Sequence, residues 1–208
     1  MSPIPNHIFR ANDIRGIADV DLTDALVKQI AGGFGTFLSK REINSVGLGF
    51  DVRLTSPRIV KAFKDELAKF PLTIYELGMI PSPVGYFINH QMKEVEAVTI
   101  VTASHNPSEY NGIKFCVKGK SLTQECIKEL QELSESYIPK IKAEASFKEI
   151  NANQAYIDFI SKKFTDDVAL LIGNTRLTLS ILSLYAPPNA VFKSMYPLLI
   201  IAEVISTN

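Results

Sequence analysis

The chain has 208 residues, 46% of them hydrophobic and 21% charged, which is enough apolar material to bury a core and excludes a chain disordered by composition. Its 22 basic and 22 acidic residues cancel, so no basic excess points to nucleic acid or to an anionic membrane surface. No apolar run has the length of a membrane helix, and the first six residues lack the basic and apolar regions of a signal peptide.

Residues 7–10 read as a short strand, and Asp13-Ile14-Arg15-Gly16 as a turn, with Gly16 free to take a positive φ. Thr23 is placed to cap a helix that runs to about Lys40. Leu26, Val27, Ile30, Phe34, Phe37 and Leu38 recur at helical spacing and form a core stripe. Gly32, Gly33 and Gly35 interrupt it and would let another element approach closely, at some cost to the helix.

Val46–Phe50 is a short apolar strand. Asp51 and Arg53 follow at its carboxyl end, where open α/β sheets place ligands. They read either as ligand-facing groups or as a local pair that braces the loop. Ser56-Pro57 opens a helix to about Lys69, with proline near its first position. Leu72–Leu77 is the next strand, and Ser82-Pro83 opens a helix to about Gln91. Val95–Val101 is almost continuously apolar, as expected of a central strand covered on both faces. The alternation predicts an α/β fold: a mixed, mainly parallel sheet with helices on both faces.

The polar stretch Thr102–Gly112 sits between that strand and the next, Ile113–Val117. The second strand comes too soon for a helical crossover and is expected to run antiparallel to its neighbour. A serine at the tip of such a loop is exposed. Ser104, His105, Asn106, the loop N–H groups and Lys114 have the chemistry to surround a phosphoryl group. A Ser-His pair alone is also what an ordinary turn carries, and no G-x-S-x-G elbow surrounds Ser104. Lys118-Gly119-Lys120 is a turn, and a helix with Ile127, Leu130 and Leu133 inward spans about 123–137. A short extended piece falls within 139–150, and a last helix runs from Asn153 to about Lys163. Cys116 and Cys126 are the only cysteines. They fit no zinc spacing and suggest a reducing compartment, with Cys116 a buried, inert thiol.

Thr102-Ala103-Ser104-His105-Asn106-Pro107, followed by Tyr110-Asn111-Gly112-Ile113-Lys114, resembles the phosphoserine loop of the α-D-phosphohexomutases. Three further segments match that family in order and spacing: Ile8–Ile17, Gly49–Pro57 and Leu77–Pro83. The likeness is to the phosphomannomutase/phosphoglucomutase branch. It spans about residues 7–165, one domain of a family that normally has four.

The resemblance implies that Ser104 carries a phosphoryl group that it exchanges with a hexose phosphate through a bisphosphorylated sugar. Phosphate moves between C1 and C6 of mannose or glucose phosphate, with hexose 1,6-bisphosphate as activator, in the cytoplasm. It implies that Arg15 reaches the phosphoryl oxygens, and that Lys114 serves as acid/base or steadies the sugar oxygen. His105 and Asn106 would line the loop, and Asn12 would contact substrate where the family commonly has tyrosine. It also implies Mg²⁺, for which the phosphorylated Ser104 is the one ligand present. The three carboxylates of an Asp-Gly-Asp-Gly-Asp-type loop are not found in this sequence.

The sequence is expected to divide into a phosphohexomutase N-terminal domain, 1–165, and an atypical apolar tail, 166–208. Arg176, Lys193 and Glu203 are the charges between Val168 and Asn208. A frameshift or premature stop after about residue 165 is the expected origin of this tail. A short paralogue and an added hairpin are the alternatives. For the chain alone the reading is a phosphohexomutase with little or no turnover. A non-catalytic phosphosugar-binding domain, or a fragment that needs its missing domains, is the alternative.

Overall fold

The computed structural model describes residues 4–139 and 144–171, with side chains to Lys162. The chain divides at Ala152, and the unit ending there carries almost every strand and helix. Its strands are β1 (Asp13–Ile17), β2 (Ser45–Phe50), β3 (Thr73–Met79), β4 (Ala97–Val101), β5 (Tyr110–Val117), β6 (Lys120–Ser121) and β7 (Ser146–Glu149). Its helices are α1 (Asp24–Ser39), α2 (Ser56–Leu67), α3 (Ser82–Gln91) and α4 (Gln124–Glu135), with a 3₁₀ turn over Asn6–Ile8.

The strands form one mixed sheet in the order β1-β5-β4-β2-β3-β7, with β6 on β5. β4, β2, β3 and β7 run parallel, whereas β5 is antiparallel to β4, to β1 and to β6. The short loop after β4 turns the chain straight back, and a reversal of that length can only pair antiparallel. β4 is buried at all five positions, in keeping with its place between β5 and β2 under helices on both faces.

On one face, Ala97 and Val101 of β4 and Phe115 of β5 join a core with α1, α2 and α4. The ring of Phe34 on α1 lies 4.6 Å from that of Phe115, centroid to centroid, and is tilted 45° to it. On the other face, Gly85 of α3 lies against Ile100 and Val98. Thr23 caps α1, its hydroxyl accepting from the Leu26 N–H. The glycines of α1 mark a close approach by α4: a Cβ on Gly33 would stand 2.7 Å from the Ser134 backbone.

The first two expected elements are corrected. Residues 7–10 are no strand, since 6–8 form the 3₁₀ turn, and the expected turn at 13–16 is strand β1. The physical reason is long-range. Asp13 and Arg15 stand opposite Lys114 and Gly112 across the β1–β5 ladder, and the buried Ile14 points the other way. Across that ladder the charges find partners, so β1 is stable despite its polar sequence.

In the second unit, the last helix, α5 (Ala152–Leu171), continues past the expected Lys163. The apolar tail from 172 onward lies outside the described residues. No helix among the described residues is long and apolar enough to cross a membrane.

Candidate active site

The site forms where two loops leave the sheet side by side. Phe50, the end of β2, is in register with Val101, the end of β4. The loop 51–55 and the loop 102–109 therefore emerge as neighbours, at the carboxyl end of parallel strands. The β1–β5 ladder supplies the third side, because it sets Asp13, Arg15 and Lys114 on one face.

Ser104 stands at the exposed apex with φ 56°. That left-handed backbone costs a non-glycine residue about 1 kcal/mol or more and persists only where its surroundings enforce it. Its N–H donates to Thr102 Oγ1 at 3.1 Å, and Asn106 N–H closes a turn onto the Ala103 carbonyl at 3.2 Å. Thr102 and Ala103 are buried, so the apex rests on a fixed base. Ser104 Oγ lies 3.0 Å from His105 Nδ1. With the proton on Nε2, Nδ1 accepts from the hydroxyl, and with it on Nδ1 the roles reverse.

Around the apex runs a continuous chain of hydrogen bonds and one ion pair. Lys114 Nζ donates to Asp13 Oδ2 at 2.8 Å, and Arg15 Nη2 donates to the same oxygen at 2.6 Å. Arg15 Nη1 donates to Asn106 Oδ1 at 2.6 Å. Arg53 Nη2 donates to the Asn106 carbonyl at 2.6 Å, and Arg53 Nε pairs with Asp51 Oδ2 at 3.3 Å. Ser56 Oγ donates to Asp51 Oδ1, Asn111 Nδ2 donates to Ser56 Oγ, and Gly112 N–H donates to Asn111 Oδ1. The chain thus leaves β5 at Lys114 and returns to it at Gly112, encircling the loop. Three cations against two carboxylates leave one positive charge in surplus beside an exposed hydroxyl. That is the sign an anion seeks. Arg15 Nε is buried and has no hydrogen-bond partner among the described residues.

The structure brings together Ser104, His105, Asn106, Arg15 and Lys114 from the sequence-predicted set. Asn12 sits exposed in the bend before β1, and no hydrogen bond among the described residues joins it to the Ser104 loop. Of the two readings of Asp51 and Arg53, the geometry is that of the brace, since both side chains are engaged with the loops. Three contributors were not singled out from the sequence: Asp13, Asn111 and Ser56. The signal for Asp13 was present, since Asp13-Ile14-Arg15-Gly16-Ile17 alternates with the period of a strand. Asn111 and Ser56 had no comparable signal, because they meet across 55 residues of sequence.

A divalent metal does not fit the described residues. No group of three or more His, Cys, Asp or Glu side chains able to hold one occurs among the described residues. Asp13, the carboxylate that flanks Arg15, is already shared between two cations. A groove lined by Leu48, Val60, Lys64, Glu76 and Glu149 lies beside β3, apart from the Ser104 loop.

Known proteins carry the same domain. The sequence pattern of phosphoglucomutase/phosphomannomutase alpha/beta/alpha domain I matches residues 6–139. A phosphomannomutase/phosphoglucomutase of Pseudomonas aeruginosa is 36% identical over 129 residues, 62% of this chain and 28% of that protein. A phosphoglucomutase of Neisseria meningitidis serogroup B is 32% identical over 135 residues, 65% of this chain and 29% of that protein. The crystal structure of a phosphoglucomutase/phosphomannomutase family protein from Burkholderia thailandensis superposes with a TM-score of 0.69 at 28% identity. It covers 76% of this chain and 36% of that one. The chain therefore spans under a third of the length of these two curated relatives.

Proposed function

Because the chain belongs to the phosphoglucomutase/phosphomannomutase family through its alpha/beta/alpha domain I, we propose that it is the phosphoryl-carrying module of a phosphohexomutase. The substrates are mannose or glucose 1- and 6-phosphate, and Ser104 is the carrier. Residues 1–165 are read as this module, and the tail 166–208 as an altered start of a second domain. The observation that carries the reading is Ser104 itself: an exposed serine in a left-handed conformation inside a ring of surplus positive charge.

The chemistry asked of such a site is positioning and charge neutralisation. When phosphoserine donates, its Oγ–P bond breaks and a P–O bond forms to the free C1 or C6 hydroxyl of the sugar. The Lys114 ammonium gives a proton to Ser104 Oγ and takes one from the sugar hydroxyl, so that a serine and a hexose bisphosphate result. The reverse step reloads the serine. Arg15, Asn106 and His105 supply the donors that meet the phosphoryl oxygens. Asn12 offers a small polar contact to the sugar. The described residues offer no carboxylate cluster that would hold Mg²⁺. Full turnover calls for carboxylates from outside them.

The donor set supports a second reading in the same place. Cations without a metal-binding carboxylate cluster suit a module that binds hexose bisphosphate and does not turn it over. Both cysteines are free, in keeping with a reducing, cytoplasmic setting.

The test is a mutase assay on the purified 208-residue chain beside Ser104→Ala, with mannose 1-phosphate, Mg²⁺ and a trace of hexose 1,6-bisphosphate. Phosphoryl transfer to the parent chain and none to the alanine chain is expected, with little or no net isomerisation. Equal labelling of both chains would remove Ser104 from its role.

A further inference from the structure

Arg53 sits between two exposed apolar neighbours, Val52 at 64% and Leu54 at 98% exposure, yet only 14% of its own side chain meets solvent. The chain spends its apolar residues outward to send this one charge inward. Arg53 Nη1 donates to the carbonyls of Pro107 and Tyr110, at 2.7 and 3.0 Å. Arg53 Nη2 donates to those of Ser104 and Asn106, at 3.1 and 2.6 Å. Nε faces Asp51 at 3.3 Å. A guanidinium has five N–H donors in a rigid fork: four are hydrogen-bonded to carbonyls, and Nε is ion-paired with Asp51. Arg53 has none left for a substrate. Four carbonyls, from Ser104 to Tyr110, converge on its two terminal nitrogens. Asp51 balances the charge, held in turn by Ser56 Oγ at 2.6 Å.

The loop's own contacts are few: Asn106 N–H to Ala103, Tyr110 N–H to Pro107, Ser104 N–H to Thr102 Oγ1 and Ser104 Oγ to His105 Nδ1. They do not by themselves account for a serine held at φ 56°. We propose that Arg53 is a positioning residue, the clamp that holds Ser104 in its left-handed conformation and so presents the hydroxyl for phosphoryl transfer. This rests on the reading of Ser104 as the carrier. Lysine keeps the charge and the Asp51 pair, but three donors on one nitrogen cannot span carbonyls on both sides of the loop.

The test uses the 208-residue chain and its Arg53→Lys variant, with Arg41→Ala as control. Arg41 also donates to a backbone carbonyl, that of Phe37, and pairs with Glu129, away from this loop. Amide hydrogen exchange of Asn106 and Tyr110 is read against β4 amides, and Ser104 phosphorylation by hexose 1,6-bisphosphate is read by intact mass. Arg53→Lys is expected to speed exchange at Asn106 and Tyr110 by about tenfold or more, with β4 unchanged, and to slow Ser104 phosphorylation by a similar factor. Arg41→Ala is expected to lower the Tm and leave the loop amides as they were. Adding Ser104→Gly to Arg53→Lys is expected to restore protection at Asn106, because glycine holds a positive φ without a clamp. Loop exchange unchanged in Arg53→Lys, or raised equally in β4 as in an unfolded chain, would overturn the proposal. If the parent chain takes no phosphate, the carrier reading falls, and the exchange data still decide the role of Arg53.

Discussion

Asp13 and Lys114 face each other across the β1–β5 ladder, 2.8 Å apart, and the Asp13 oxygen that Lys114 touches also receives Arg15. The carboxylate is the anion that these two cations hold, and a phosphoryl group would compete for them. Asp13→Asn preserves the shape and removes the charge. Two effects of opposite sign are expected. Stability falls by about 1–3 kcal/mol, the usual cost of leaving poorly exposed charges without their partner. Affinity for inorganic phosphate rises severalfold, because Arg15 and Lys114 are released. Urea melts and calorimetric titration read the two effects separately. Weaker phosphate binding in Asp13→Asn would mean that Asp13 orients the cations for the anion and does not compete with it.

The strain at Ser104 has its own signature. Alanine keeps the left-handed penalty and loses only the hydroxyl, whereas glycine removes the penalty. Ser104→Gly is therefore expected to be more stable than Ser104→Ala by about 1 kcal/mol, after the extra entropy of glycine in the unfolded chain is subtracted from the relief. Thermal melts of the two variants decide this. Equal midpoints would mean that the apex is not held under strain.

What the sequence made legible was local. The helix α1 was readable from Thr23 and from the apolar spacing through Leu38, because cap and stripe lie within one element. The Ser104 loop was readable because its residues are contiguous. β1 was misread as a turn because Asp-Ile-Arg-Gly has turn chemistry, and what makes it a strand is Lys114, 101 residues away. The inward aim of Arg53 was equally hidden. It follows from the register of Phe50 with Val101, which no property of Asp51-Val52-Arg53-Leu54 announces. Elements came from neighbours along the chain, and the clamp came from neighbours across the sheet.

The glycines of α1 test the packing that holds the site's scaffold. In isolation Gly33→Ala should favour the helix by up to about 1 kcal/mol. Here the added Cβ would meet Ser134 Cα and N at 2.7 Å, and both are backbone atoms of α4 that cannot turn aside. Overpacking of this kind costs about 1–3 kcal/mol, so packing outweighs propensity. Gly33→Ala is expected to lower the Tm by several degrees. A Tm at or above that of the parent chain would show that α4 can retreat from α1 at no cost.

Cys116 lies 3% exposed on β5, and burial pushes its thiol up from 9.0 to about 11. The folded chain keeps this proton in a range where the unfolded chain has lost it. The contribution to stability is thus complete below pH 9.0 and is lost as the pH rises through about 11. Cys116→Ala is expected to cost about 1 kcal/mol at neutral pH and to flatten the alkaline limb of the stability curve relative to the parent. Lysines and tyrosines titrate in both chains, so the difference between the two curves isolates the thiol. Alkylation gives a second reading: Cys126, half-buried on α4, should react in the native chain, and Cys116 only on unfolding. Parallel pH curves for the two chains, together with rapid native labelling of Cys116, would mean that β5 opens at this point far more readily than its pairing with β4 and β6 implies.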